Sequence, residues 1–433
     1  MTIQQALDQG TNYHNDELCV DISEEKRIIV PITSKKAVIM ETIQRFFPLP
    51  SSSFFLFGPR GTGKSTWLRT YAPKAIWLDL LDPETYRTYL SNPERLRELI
   101  DAAPDSERVI IDEVQKVPQL LDVVHQLIEE KHRPLQFILT GSSARKLKRT
   151  GIDLLAGRAL LKTFHPFMAA ELGDRFDLGQ ALRLGMLPLV LDSKDPEETL
   201  KAYISLYLRE EVQAEGLVRN VGGFSRFLET ISLSHGAQIN LSNIARECHV
   251  GRKTAEGFLN ILEDLLLGFR IRPFTKRARR QMVQHPKFYY MDTGVFRSLR
   301  PKGPLDTPEM VGGTCLEGLV AQHLRAWIAY SKSDCELYFW RTKSGLEVDF
   351  ILYGQDTFLA IEVKKSRSVF STDIRPLAEF KKDYPEAQVC LLYGGSERLK
   401  IKDVPCLPCE TFLRHLIPNV QPTEILDTLP GLV

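Results

Sequence analysis

Residues 54–57 read Phe-Phe-Leu-Phe, and Gly58-Pro59-Arg60-Gly61-Thr62-Gly63-Lys64-Ser65 follows at once, before Thr66-Trp-Leu-Arg-Thr-Tyr71. The apolar run has the composition of a strand buried on both faces. The octapeptide is G-x-x-x-x-G-K-S, and a strand before it and a helix after it are the context in which that spacing cradles phosphate. Gly58, Gly61 and Gly63 let the backbone curl so that amide groups face an anion. The following helix turns its N-terminus to the same anion. Lys64 supplies a point charge for the β- and γ-phosphates, and Ser65 offers a hydroxyl to magnesium. The expected ligands are therefore ATP and Mg2+, held by Gly58, Pro59, Arg60, Gly61, Thr62, Gly63, Lys64, Ser65 and Thr66.

A chain of 433 residues has room for two to four such modules. Its net charge of +1 supplies no global field, so any nucleic-acid surface has to be local. The seven cysteines are scattered and odd in number, which fits a reducing compartment. Cys406-Leu-Pro-Cys409 lacks two further ligands at metal spacing and reads as ordinary thiols. No apolar run reaches the length of a membrane span, and the first twenty residues lack an apolar signal core. These features give the expectation of a cytoplasmic protein without a membrane partner.

Two further strands complete the first module. Arg108-Val-Ile-Ile-Asp112-Glu113 ends in adjacent acids, and in P-loop enzymes an acid at this strand end holds the magnesium shell. Asp112 takes that role and Glu113 polarises the attacking water. Gln136-Phe-Ile-Leu-Thr-Gly-Ser142-Ser143 is a strand with polar residues at its C-terminal end, where ligands of parallel sheets sit. Ser142 or Ser143 is the candidate γ-phosphate sensor. This order of strands resembles the AAA+ superfamily of ATPases. Arg158 resembles the arginine that completes such sites, in cis or from a neighbouring subunit of a homo-oligomer, with a surface salt bridge as the alternative.

The middle region is expected to be helical over 195–235. Residues 239–267 then read as a short helix, a turn at Val250-Gly251 and a longer helix, followed by the strand Phe269-Arg-Ile-Arg-Pro-Phe. The arrangement resembles a winged helix. Arg252, Lys253 and Thr254, with the basic loop 276–280, are candidates for DNA contact. Plain interdomain packing is the alternative.

The last third holds a second set of acids. Leu316, Leu319, Val320, Leu324, Trp327 and Ile328 form the apolar side of a helix, with Glu317 at its edge. Asp349 interrupts one apolar strand. Glu362 and Lys364, two apart, share a face of the next. Burying such acids costs several kcal/mol unless they are paired or metal-bound, and clustered hard oxygens suit magnesium or manganese.

The pattern resembles the PD-(D/E)xK, or restriction-endonuclease-like, fold. The resemblance implies Asp349 and Glu362 as metal ligands, Lys364 as the lysine beside them and Glu317 as the acid of the preceding helix. Asp349 departs from it in following Val348 rather than proline. The alternative is a salt bridge from Lys364 to Glu362 or Asp349. Over roughly residues 36–410 the order of modules resembles prokaryotic AAA+ ATPases with a nuclease-like C-terminal domain. The expected α/β architecture is an extension over 1–35, an AAA+ P-loop ATPase domain over 36–190, a helical winged-helix-like domain over 191–285 and a nuclease-like domain over 286–433. The expected function is a Mg-dependent ATPase coupled to a DNA-directed module able to cut. The alternative is an ATP-driven switch with an inert C-terminal scaffold.

Overall fold

A computed structural model describes residues 17–21, 27–31, 43–130, 134–143, 145, 147, 155–207, 220–278, 280–303 and 307–428. The chain divides into two compact units, Met1–Gln44 and Arg45–Val433. In the first, strands β1 (Glu17–Asp21) and β2 (Arg27–Pro31) form an antiparallel hairpin with Cys19 opposite Ile29.

Among its described residues the second unit contains two sheets. The first is five parallel strands: β3 (Phe54–Phe57), β4 (Ile76–Asp79), β5 (Arg108–Asp112), β6 (Gln136–Gly141) and β7 (Leu160–Thr163), in the order β4-β5-β6-β3-β7. Every residue of β3 is buried, which is why its sequence is wholly apolar. Because β6 lies between β3 and β5, the phosphate loop after β3 and the acids after β5 flank the polar end of β6. Helix α1 (Lys64–Tyr71) follows the loop, and α2 (Leu120–Glu130) returns along the sheet after β5. The edge strand β7 leaves Leu160 and Leu161 exposed at 45% and 58%.

The central helices form as expected, although residues 208–219 of the stretch expected to be helical lie outside the described ones. Helix α3 (Val221–Ser232) is followed by the short strand β8 (Ala237–Gln238), α4 (Leu241–Glu247) and α5 (Arg252–Asp264). His249 adopts φ 53 in the turn between α4 and α5.

The second sheet is larger than expected. It runs β10-β9-β11-β12-β13-β14-β16-β15, built from β9 (Gly268–Pro273), β10 (Lys287–Tyr290), β11 (Glu336–Arg341), β12 (Glu347–Tyr353), β13 (Phe358–Lys364), β14 (Gln388–Tyr393), β15 (Leu399–Ile401) and β16 (Val404–Pro408). The strand read as part of a winged helix is β9. It pairs with β10, Phe269 opposite Tyr289, and runs parallel to β11 with Arg272 opposite Tyr338. An expected domain boundary at 285/286 therefore falls inside a hairpin of the C-terminal sheet. The pairing gives the open edge of β9 a partner, which an isolated wing would lack.

Helix α6 (Pro308–Tyr330) packs against β10, β11 and β13, and α7 (Arg375–Asp383) against β12, β13 and β14. The stripe expected on α6 is buried except for the partly buried Ile328, but Ala321, Gln322, His323 and Ala326 are buried as well. A helix covered on most sides is an internal strut rather than an amphipathic surface element.

Candidate functional site

The phosphate loop is pinned from several sides. A side chain at position 58 would meet the Phe164 carbonyl oxygen at 2.4 Å, so only glycine fits there. Gly63 has φ +86, a left-handed conformation that glycine adopts without a Cβ penalty. Buried Arg45 donates to the Thr62 carbonyl at 2.9 Å and to the His165 carbonyl at 2.7 Å, and pairs with Glu171 at 3.0 Å. Tyr203 donates to the Arg60 carbonyl at 3.1 Å, and the Leu189 amide donates to the Gly61 carbonyl at 3.1 Å. The Lys64 ammonium donates to the Gly58 and Pro59 carbonyls at 2.6 and 3.2 Å. Thr66 is exposed at the start of α1.

The three strand ends converge. Ser65 Oγ donates to Asp112 Oδ2 at 2.7 Å, and Thr140 Oγ1 donates to Asp112 Oδ1. This puts a hydroxyl and a buried, oriented carboxylate together beside Lys64, a hard-oxygen set of the kind magnesium takes next to phosphates. Glu113 sits in the left-handed region at φ 59, and Gln115 Nε2 donates to its carboxylate at 2.5 Å. Ser142 Oγ is buried with no hydrogen-bond partner among the described residues. Ser143 is also buried, and its hydroxyl accepts from the Arg145 amide at 3.3 Å.

Arg158 lies elsewhere. Strands β3 and β7 run parallel and in step, Phe54 beside Leu160 and Phe57 beside Thr163. Arg158 precedes β7, whereas Gly58 follows β3, so about 20 Å of strand separates them. Its guanidinium pairs with Glu129 near the C-terminal end of α2. Its own phosphate loop is out of reach, which removes a role in cis.

The second set of acids converges, but around a residue that the sequence did not single out. Lys287, on β10, is buried with its ammonium 3.0 Å from Glu317 and 3.4 Å from Asp349, and it also pairs with Glu347. Burial alone would pull the Lys287 pKa down. Glu317, Tyr289, Asp349 and Glu347 outweigh it and hold that pKa well above the ordinary lysine value. Glu317 also accepts from Tyr289 Oη at 2.6 Å, and burial pushes its carboxyl up to about 7. Asp349 Oδ2 accepts from the Val363 amide at 2.9 Å, and Glu347 Oε2 accepts from Arg341 at 2.8 Å. Lys364 pairs with Glu362 at 2.6 Å, while Glu362 Oε2 is buried without a partner among the described residues. Burial and Asp349 raise the Glu362 pKa well above its usual range.

A divalent cation does not fit this arrangement. Glu317 and Asp349 already share a buried ammonium, which takes the charge that a metal would balance. Among the described residues no cluster of three or more acid, histidine or cysteine side chains is disposed to hold a metal ion. The expected use of Asp349 and Glu362 as metal ligands thus meets a built-in cation instead, and Lys364 is tied down in the ion pair given above as the alternative.

The other expected sites give less. Arg252, Lys253 and Thr254 are exposed at the start of α5. In the basic loop Arg280 is drawn inward to Glu379 and Asp383 at 2.9 and 2.7 Å, Lys276 sits 4.3 Å over the Tyr353 ring, and Arg279 lies outside the described residues. Cys406 and Cys409 are buried free thiols. No helix among the described residues is long and apolar enough to cross a membrane.

Residues 51–173 match an AAA domain. The chain contains an AAA-type ATPase domain. Residues 175–306 match the domain of unknown function DUF8612, and residues 312–412 match the domain of unknown function DUF4143. The chain is similar to an uncharacterized protein of Mycobacterium bovis and to one of Mycobacterium tuberculosis. Each is 25% identical over 366 residues, covering 83% of this chain and 80% of the relative. The two regions beyond the ATPase domain thus match families whose function is unknown.

Proposed function

We propose that this chain is a magnesium-dependent ATPase that drives a C-terminal module which binds a partner without cutting it. The observation that carries the ATPase reading is the contact of Ser65 and Thr140 with Asp112 beside Lys64. On binding ATP, the Lys64 ammonium leaves the Gly58 and Pro59 carbonyls for the β- and γ-phosphates. Backbone amides of the loop enclose the same anion. Ser65 and Asp112 hold the metal, with Thr140 fixing the orientation of the Asp112 carboxylate. Magnesium bound there offsets the charge that builds on the phosphates during transfer. Glu113 positions the attacking water, and Gln115 restrains its carboxylate. Ser142, which has no partner among the described residues, donates to the γ-phosphate.

Arg158 serves a neighbouring copy in this reading. Its distance from its own loop and the exposed Leu160 and Leu161 on the adjoining edge strand support a homo-oligomer in which Arg158 reaches the next subunit. The non-cutting reading of the C-terminal module rests on Lys287, whose ammonium stands among the acids that a nuclease would give to metal. Turnover of ATP by the full chain, with magnesium or EDTA and with or without DNA, tests the assignment. Magnesium-dependent turnover without nicking of plasmid is the expected result. Metal-dependent nicking abolished by Asp349→Ala would restore a DNA-cleaving function.

A further inference from the structure

Strands β9 and β11 are in register only at Arg272 with Tyr338 and Pro273 with Phe339. Where they diverge, a groove of about 440 Å³ opens between them, floored by α6 and walled on the far side by Thr163 and His165 at the end of β7. Arg325 of α6 projects into it with its guanidinium 4.0 Å over the Phe269 ring. Among the described residues no carboxylate comes within ion-pair distance of Arg325, and no hydrogen bond occupies its donors. At the rim, Arg272 is exposed and likewise without an ion-pair partner among the described residues, whereas Arg270 is neutralised by Glu263. A partly enclosed guanidinium stacked on an aromatic ring, with its fork of donors unpaired among the described residues, is built to receive an oxyanion.

A second observation is independent of the first. Gln322 lies three residues before Arg325 and so on the same helix face. It is 3% exposed, and neither its amide nitrogen nor its amide oxygen has a partner among the described residues. It lines a narrow slot, shared with His165 and Arg325, that extends the groove to Pro59 of the phosphate loop. Burial, with Arg325 and Arg45, holds the His165 imidazole well below the usual histidine range, so it is a neutral donor or acceptor. A buried amide left unpaired costs free energy comparable to a lost hydrogen bond, and a polar ligand or ordered water at the slot would recover it.

We propose that this groove is a second ligand site, separate from the phosphate loop, that binds the phosphate group of a phosphate ester through Arg325 and Arg272, with Gln322 and His165 as neutral partners. Phosphate is favoured because Arg272 and Arg325 line the groove against one carboxylate, Glu336, and the walls are partly apolar at Ile328 and Leu337, which suits an ester carrying an organic body. The ester is either a free small molecule or a unit of a nucleic-acid strand.

Binding is measured by equilibrium dialysis on the full chain carrying Lys64→Ala, so that the phosphate loop does not compete. The probes are inorganic phosphate, a nucleoside monophosphate and a short oligothymidylate. Saturable binding is expected, weakened about tenfold or more by Arg325→Gln, the loss typical of a charge-assisted hydrogen bond. Arg272→Gln, on the exposed rim, is expected to weaken it less, and it tests the site should Arg325→Gln fail to fold. Preference for the monophosphate identifies a free ester, and preference for the oligothymidylate identifies a strand; either supports the site. Absence of saturable binding of all three probes, or binding unchanged by both substitutions, overturns the proposal. ATP binding by Arg325→Gln with Lys64 intact is read separately, so failure here is distinguishable from failure of the ATPase reading.

Discussion

Replacing Lys287 by methionine isolates the effect of its charge. Methionine fills a similar volume, so the packing change is small, but the ammonium 3.0 Å from Glu317 and 3.4 Å from Asp349 is gone. Removing one partner of a buried ion pair leaves an uncompensated charge and costs about 3–5 kcal/mol. At ~2 °C per kcal/mol for a large domain, the melting temperature should fall on the order of 5–10 °C. The acids then lack a cation, and a divalent metal can supply one. Manganese at a hundredfold excess over its Kd would return about 2.7 kcal/mol. The assay is thermal unfolding without nucleotide, in EDTA and in manganese. Lys287→Met should gain from manganese while the native chain does not, and Lys287→Met with Asp349→Asn should recover stability without metal. A native chain stabilised by manganese as strongly as the variant, through Asp349, would refute the view that Lys287 takes the place of the ion.

Lys64→Ala should lose ATP binding, measured with a fluorescent nucleotide, because the loop loses its charged phosphate ligand. Glu113→Gln should bind ATP normally but hydrolyse it slowly, since Asp112 still holds the metal; normal turnover would give the water to another residue. Arg158→Ala should lower turnover by ~10³-fold or more with little change in binding, and mixing it with Lys64→Ala subunits should restore part of the activity if the arginine acts between copies. Stability should fall as pH rises from about 5 to about 8, because the folded chain keeps the Glu317 proton to about 7 while the unfolded chain releases it near 4.5. Glu317→Gln should flatten that slope in melts across the range.

The phosphate loop was legible because one contiguous stretch encodes strand, turn and helix, and its glycine positions answer to backbone geometry alone. The placement of Asp112 and Ser142 at strand ends was legible for a related reason: a polar residue after an apolar run marks the end of a parallel strand, where ligands sit. Lys287 was not. In Pro286-Lys287-Phe288-Tyr289-Tyr290 a lysine at the start of a short strand reads as a solvated end, and only the pairing of β10 with β9 turns it toward Glu317. Charged Lys287 directly before three large aromatic residues was the available signal, and it is a weak one. Gln322 and Arg325 were hidden in the same way. On a helix their spacing matches an ordinary polar face, and the groove that gives them meaning comes from the divergence of two strands distant in sequence. The 285/286 boundary cut the hairpin because local patterning specifies a strand but not its partners, here β10 just across the cut and β11 farther along the chain.

Helix α6 ties these features together. Its 23 residues span roughly 35 Å. Near its N-terminal half Glu317 meets Lys287 in the acid cluster. Farther along, Gln322 lines the slot and Arg325 the groove, and His323 accepts from the Ala169 amide at 2.9 Å, in the segment that follows β7. Burial lowers the His323 pKa to about 4, so the ring stays neutral and this contact is insensitive to pH near neutrality. At the C-terminal end Tyr330 accepts from the His165 amide at 2.8 Å, beside the Phe164 carbonyl on which Gly58 rests. The helix is buried through its middle, where close packing leaves it little room to bend. A change at the phosphate loop that displaced residues 164–169 would therefore act on α6 at two fixed points and reach the groove and the acid cluster through one element. Physical contiguity of this kind is not yet coupling. Coupling would appear as a dependence of ATP affinity on Lys287→Met that His323→Leu abolishes, and additive effects of the two substitutions would mean that α6 holds the modules together without passing a signal between them.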